Sequence, residues 1–105
     1  MDRNADAAVA LLKGLAQPVR LKLLCQLVEG EKSVGKLAGA LGVRDSVISQ
    51  HLALLRRDGL VGNRRDGQTI FYAIADRNAA RLLGLLHDIF CVEERGAASA
   101  IKSRR

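Results

Sequence analysis

Apolar positions along the chain recur at helical spacing in five stretches and cluster as strand-forming runs in two. Ala8, Leu11, Leu12 and Leu15 fall at i, i+3, i+4 and i+7, which predicts a first helix over roughly Asp6–Leu15. Gln17-Pro18 interrupts it, and Pro18 suits the first position of a second helix reaching about Glu29. Leu21, Leu24, Cys25 and Val28 form the stripe expected to be buried, and Gly30 is expected to close the helix as a left-handed cap. Ser33 is expected to cap a short third helix, about Val34–Leu41, ended by Gly42. Lys36 stands where a capping box would place Glu or Gln, so that box is absent. Asp45 is expected to cap a fourth helix reaching about Arg57, with Gly59-Leu60 as its stop signal. Leu60–Arg65 and Thr69–Ala75 read as strands, joined by a hairpin turn at Asp66-Gly67. A last helix is predicted over about Arg77–Cys91, with Leu82, Leu83, Leu86, Ile89 and Phe90 apolar.

This order, α-α-α-α-β-β-α, predicts a mainly α protein with a small β-hairpin, a winged helix-turn-helix. The diagnostic piece is Val34–Leu55. Ala38 is small where two helices must cross closely, and Gly42 follows four residues later, where the turn needs a permissive backbone. Leu37, Leu41, Ile48, Leu52 and Leu55 are placed to pack the two helices together. The fourth helix is left with Ser46, Ser49, Gln50 and His51, groups suited to base edges and phosphates in a major groove. Arg44, Arg56 and Arg57 flank that helix and suit phosphate anchoring. Arg64, Arg65 and Gln68 surround the hairpin tip, where a basic wing lies over phosphates or reaches the minor groove. Taken alone, the same residues also suit a solvated helix face and a charged strand edge that resists pairing.

Composition narrows the partner. The chain has 105 residues, 49% of them hydrophobic, which suits one domain with a real core. Its net charge of +6 suits a polyanion, either nucleic acid or an anionic membrane surface, and equally suits solubility alone. Phe71, Tyr72 and Phe90 are its only aromatic residues, too few for the stacking platforms of single-strand and RNA binders, so duplex DNA is the expected ligand. No run approaches a membrane span, and the start Met1-Asp2-Arg3-Asn4 lacks a signal-peptide pattern. A cytoplasmic location without membrane contact is expected. Thiols are normally reduced there, so Cys25 and Cys91 are not expected to form a structural disulfide framework. Residues 1–95 are expected to form the domain and 96–105 a basic, flexible tail. No cofactor is expected.

Four segments carry a family resemblance: Pro18-Val19-Arg20-Leu21, Ser49-Gln50-His51-Leu52 with Leu55-Arg56, Gly59-Leu60-Val61, and Arg64-Arg65-Asp66-Gly67-Gln68 with Tyr72. Together they resemble the ArsR/SmtB family of bacterial repressors, over roughly Ala8 to Cys91. The resemblance implies a homodimer built on the first and last helices, which binds double-stranded operator DNA and releases it when an inducer arrives. Such a dimer reads half-sites about one helical turn apart, roughly 34–36 Å. Arg44-Asp45 departs from the Ser and Gln that members carry there, and Asp45 puts a negative charge near the DNA.

The inducer is read from what the family's known sites require. One metal site uses Cys-x-Cys on the third helix; here Val34–Ala40 offers no such ligand. Another uses spaced Asp and His on the last helix. His87 and Asp88 are adjacent and point apart, leaving only pairings of His87 with Cys91 or Glu94, so no metal is assigned. On its own, Cys25 on an apolar stripe also reads as a small core residue, as does Cys91 beside Phe90. Leu24-Cys25-Gln26-Leu27, Gly30–Gly35, Gln68–Tyr72 and Asp88-Ile89-Phe90-Cys91 resemble a dithiol subgroup that responds to sulfide. That resemblance implies that Cys25 and Cys91 sense persulfide or polysulfide and become bridged by sulfur. Peroxide, disulfide stress or a metal acting on the same fold remain alternatives. A small cysteine-dependent sulfur-handling enzyme is disfavoured, because there is no Cys-x-x-Cys and no strand leading to either cysteine.

Overall fold

The structure, a computed structural model, describes residues 2–91, with side chains from Asn4 to Phe90. Glu94 and the 96–105 tail lie outside the described residues, as does the side chain of Cys91. Five helices and three strands follow one another as α1 (Asp2–Leu15), α2 (Pro18–Val28), β1 (Lys32–Ser33), α3 (Val34–Leu41), α4 (Asp45–Arg57), β2 (Val61–Asp66), β3 (Thr69–Ile74) and α5 (Arg77–Leu86). A π-helical turn, His87–Cys91, continues α5. This is the expected winged helix-turn-helix with one strand more than the sequence suggested.

The third strand is β1. It pairs antiparallel with β3, Lys32 opposite Tyr72 and Ser33 opposite Phe71, giving the order β1-β3-β2. Two residues with no apolar alternation leave no strand signal of their own. The hairpin register, Asp66 opposite Thr69, puts Gly67 and Gln68 at the turn rather than Asp66 and Gly67. Gly67 takes φ 66°, while no non-glycine residue described has positive φ, so the glycine leads the turn.

Helix ends differ from expectation at three points. Gln17, not a usual capping residue, caps α2 by accepting from the Arg20 amide at 2.6 Å. Gly30 has φ 140°, outside the left-handed helical region, so α2 ends on tightened turns at Glu29 instead. Asp45 is the first helical residue of α4 rather than its cap; Arg44 holds the cap position without a side-chain bond. Asp45 still places a negative charge at the positive end of the helix. Ser33 caps α3 as expected, and Asp76 caps α5 through the Ala79 amide.

Two glycines make the turns that aim α4. Gly42, at φ 69°, closes α3 on the Ala38 carbonyl. Gly59, at φ 78°, lets its amide reach the Arg56 carbonyl while the Leu60 amide reaches Leu55, the double bond of a left-handed helix stop. Leu60 then drops into the core as the strand begins. That core joins Leu15, Leu23, Leu24, Leu27, Leu37, Ala38, Ile48, Leu52, Leu55, Leu60, Val61, Ala79 and Leu83. The buried face of α2 is Leu23, Leu24, Cys25 and Leu27, with Leu21 and Val28 only partly covered, because α1, α3, α5 and β3 all pack on this helix. Leu82 and Leu86 are half-buried, whereas Ile89 and Phe90 are exposed.

Candidate nucleic-acid interface and the cysteine-bearing helices

Helix α4 divides into two faces. Ile48, Leu52 and Leu55 are fully buried and fix its rotation against α3. At 3.6 residues per turn, Ser46 and Gln50 lie about 160° from that stripe, and both are exposed. Ser49, Arg44 and Arg56 are exposed beside them. The helix therefore presents donors and acceptors on an outer face that its core contacts hold in one orientation, the arrangement that base reading needs. Arg44 and Arg56 have no ion-pair partner among the described residues, whereas Arg57 lies 3.4 Å from Asp58.

His51 is different. It lies about 60° from the buried stripe, so it is half-buried, and its Nδ1 is enclosed without a hydrogen-bond partner. Burial first, and the Arg20 guanidinium second, hold this imidazole below the usual histidine range. Arg20 is itself tied inward, its Nη1 donating to the Gly14 carbonyl at 3.3 Å and its Nε buried without a partner. Nothing local in the sequence connects Arg20 with His51, 31 positions away.

The wing tip carries Arg65 and Gln68, both exposed, and Arg65 has no ion pair among the described residues. Arg64 is also exposed, but its guanidinium is engaged by the Glu31 carboxylate and stacks on Phe71. The sequence pairs Arg64 with Arg65 at the wing and gives no local signal for Glu31, 33 positions from Arg64.

Cys25 is buried on α2, 6% exposed. The π-helical turn that contains Cys91 packs against α2, so the backbone brings the two cysteine-bearing segments together. His87, on the same turn, is buried, and its Nε2 lies 3.3 Å from a Glu29 oxygen. Glu29 also accepts from Lys32 Nζ at 2.9 Å, and Lys32 donates to Gln26 at 2.8 Å. This polar cluster stitches the end of α2 to the start of the turn. Among the described residues, no three His, Cys, Asp or Glu side chains gather as a metal-ion site, and no helix is long and apolar enough to cross a membrane.

Residues 17–62 match the family profile described as bacterial regulatory protein, arsR family. The chain is 45% identical over 91 residues to the transcriptional activator HlyU of Vibrio cholerae, covering 87% of this chain and 84% of that protein. The structure of the reduced form of that HlyU superposes with a TM-score of 0.82, over 87% of this chain and 96% of the other. The transcriptional repressor BigR of Xylella fastidiosa superposes with a TM-score of 0.83 at 45% identity, covering 90% and 93%. A homodimeric winged helix-turn-helix DNA-binding domain of Mycobacterium bovis, a possible ArsR-family regulator, gives a TM-score of 0.71 at 34% identity, covering 92% of each chain.

Proposed function

This chain belongs to the arsR family of bacterial regulatory proteins, and from that premise we propose a homodimeric repressor that releases double-stranded operator DNA when Cys25 and Cys91 react with persulfide or polysulfide. The observation that carries the DNA reading is the split of α4 into a fully buried stripe and an exposed face of Ser46, Ser49 and Gln50. The half-buried His51 contributes its outer edge. Arg44, Arg56, Arg64, Arg65 and Gln68 take phosphate and groove contacts around that face. Val9 and Leu12 on α1, with Leu85, Ile89 and Phe90 at the end of α5 and its turn, are exposed apolar side chains that a second copy would cover.

The packing of the Cys91-bearing turn on α2 supports the sensing reading. Each cysteine thiolate takes one sulfane sulfur from a polysulfide, which is shortened by one atom. One persulfide then attacks the inner sulfur of the other and expels hydrosulfide, leaving a sulfur bridge between Cys25 and Cys91. The oxidising equivalents come from the sulfane sulfur. A bridge between α2 and the turn redefines how α5 sits, and with it the spacing of two recognition helices in a dimer. A coupling of about 1–3 kcal/mol is enough for release.

Two measurements test this. Binding to a palindromic site near the protein's own promoter weakens steeply with salt and exceeds binding to random duplex; equal binding to both removes the repressor reading. Intact mass after polysulfide shows added sulfur linking Cys25 to Cys91, and Cys25→Ser or Cys91→Ser abolishes polysulfide-driven release. Release that persists in both variants removes the cysteine sensor and leaves the DNA reading standing. Bridging by peroxide but not by polysulfide moves the inducer to oxidative stress.

A further inference from the structure

An acidic side chain from before β1, Glu31, reaches the basic wing. Arg64 of β2 and Ser33 of β1 both lie opposite Phe71 of the central strand β3. Glu31 immediately precedes β1, and its carboxylate reaches Arg64. Both of its carboxylate oxygens accept from Arg64 Nε at 3.0 Å, and Oε1 also accepts from Nη2. The remaining nitrogen, Nη1, lies 3.9 Å from an Asp66 oxygen, and the guanidinium carbon sits 4.9 Å from the centre of the Phe71 ring. Every nitrogen of Arg64 thus faces a carboxylate, while Arg65 next to it has no ion pair among the described residues.

A carboxylate and a phosphate offer a guanidinium the same two-pronged acceptor. We propose that Glu31 belongs to the DNA interface as an internal competitor, holding Arg64 in the free protein until a backbone phosphate displaces it. Both side chains are exposed, 53% for Arg64 and 38% for Glu31, so water and salt weaken the pair and exchange is open to solvent. Phe71 stacks on the guanidinium itself, so the face of the fork stays supported while its edge changes partner. By occupying Arg64, Glu31 lowers affinity, and because salt weakens the pair it makes the fall of affinity with salt less steep. The inference rests on the wing lying on DNA, as proposed above, and is independent of the cysteine chemistry.

Phosphate contacts are blind to sequence, so the test needs no operator. Binding to a random-sequence duplex of about thirty base pairs is followed by fluorescence anisotropy over a range of salt. Glu31→Gln binds about two- to fivefold more tightly than the wild type. Arg64→Gln binds more weakly, and its salt slope falls by about one. The double variant binds like Arg64→Gln, because Glu31 acts through Arg64. Glu31→Gln that binds no tighter overturns the competitor role and makes Glu31 a strut. An equal gain in the Arg64→Gln background overturns it too, leaving plain charge repulsion. If Arg64→Gln keeps wild-type affinity and slope, Arg64 makes no phosphate contact, and that part of the wing reading fails instead.

Discussion

One imidazole on α4 is half-buried, with its Nδ1 enclosed and without a hydrogen-bond partner among the described residues. His51 is held below its ordinary range by burial and by Arg20. The unfolded chain takes up this proton near about pH 6.5, and the folded chain only at lower pH. In that window the unfolded state binds more protons, so stability rises with pH and is lost as pH falls from about 7 towards 5. Urea midpoints measured across that range fall for the wild type, and His51→Gln flattens part of the fall. An identical slope in both proteins would assign the loss to other groups. The exposure of Ser46 and Gln50 was legible in the sequence because they sit opposite the stripe of Ile48, Leu52 and Leu55. The enclosure of His51 was also latent in its angular position, but Arg20 was not, since their proximity comes from tertiary packing of α2 near α4.

At the scale of elements, glycine conformation decides where the helices stop. Gly42 sits in the left-handed region with no atom within 4 Å of a would-be Cβ, so Gly42→Ala carries only backbone strain, about 1–2 kcal/mol. Gly39 lies inside α3 with equally open space and helical φ, so Gly39→Ala stabilises by up to about 1 kcal/mol. Thermal melts of the pair should move in opposite directions. The five helices and the hairpin were readable from periodicity and turn residues. The start of α4 was misplaced by one residue, because Asp serves both as a cap and as a first-turn acid. Strand β1 and the Glu31–Arg64 pair were not readable, since both depend on partners more than 30 positions away. The π-helical turn escaped for another reason: its apolar spacing, with Ile89 and Phe90, looks helical whichever hydrogen-bond step the backbone takes.

For the whole molecule, the most exposed large apolar side chains lie on α1 and on α5 with its π-helical turn. Phe90 is 62% exposed, and Leu85, Ile89, Leu12 and Val9 are each close to half exposed. In the proposed dimer these side chains are covered by the second copy, so a charge there should separate the subunits. Leu12→Glu or Leu85→Glu should sediment as a monomer and lose most of its operator affinity, because a single recognition helix then reads only one half-site. A charged variant that stays dimeric would place the interface elsewhere. The outer face of α4 has a different liberty. Ser46 and Gln50 of α4 take no part in the core, and substitutions at such exposed positions change stability by about half a kcal/mol or less. In the proposed repressor, the letters that read the operator are therefore free to drift over generations while the scaffold stays fixed, and new target genes can be acquired without the protein first having to become more robust.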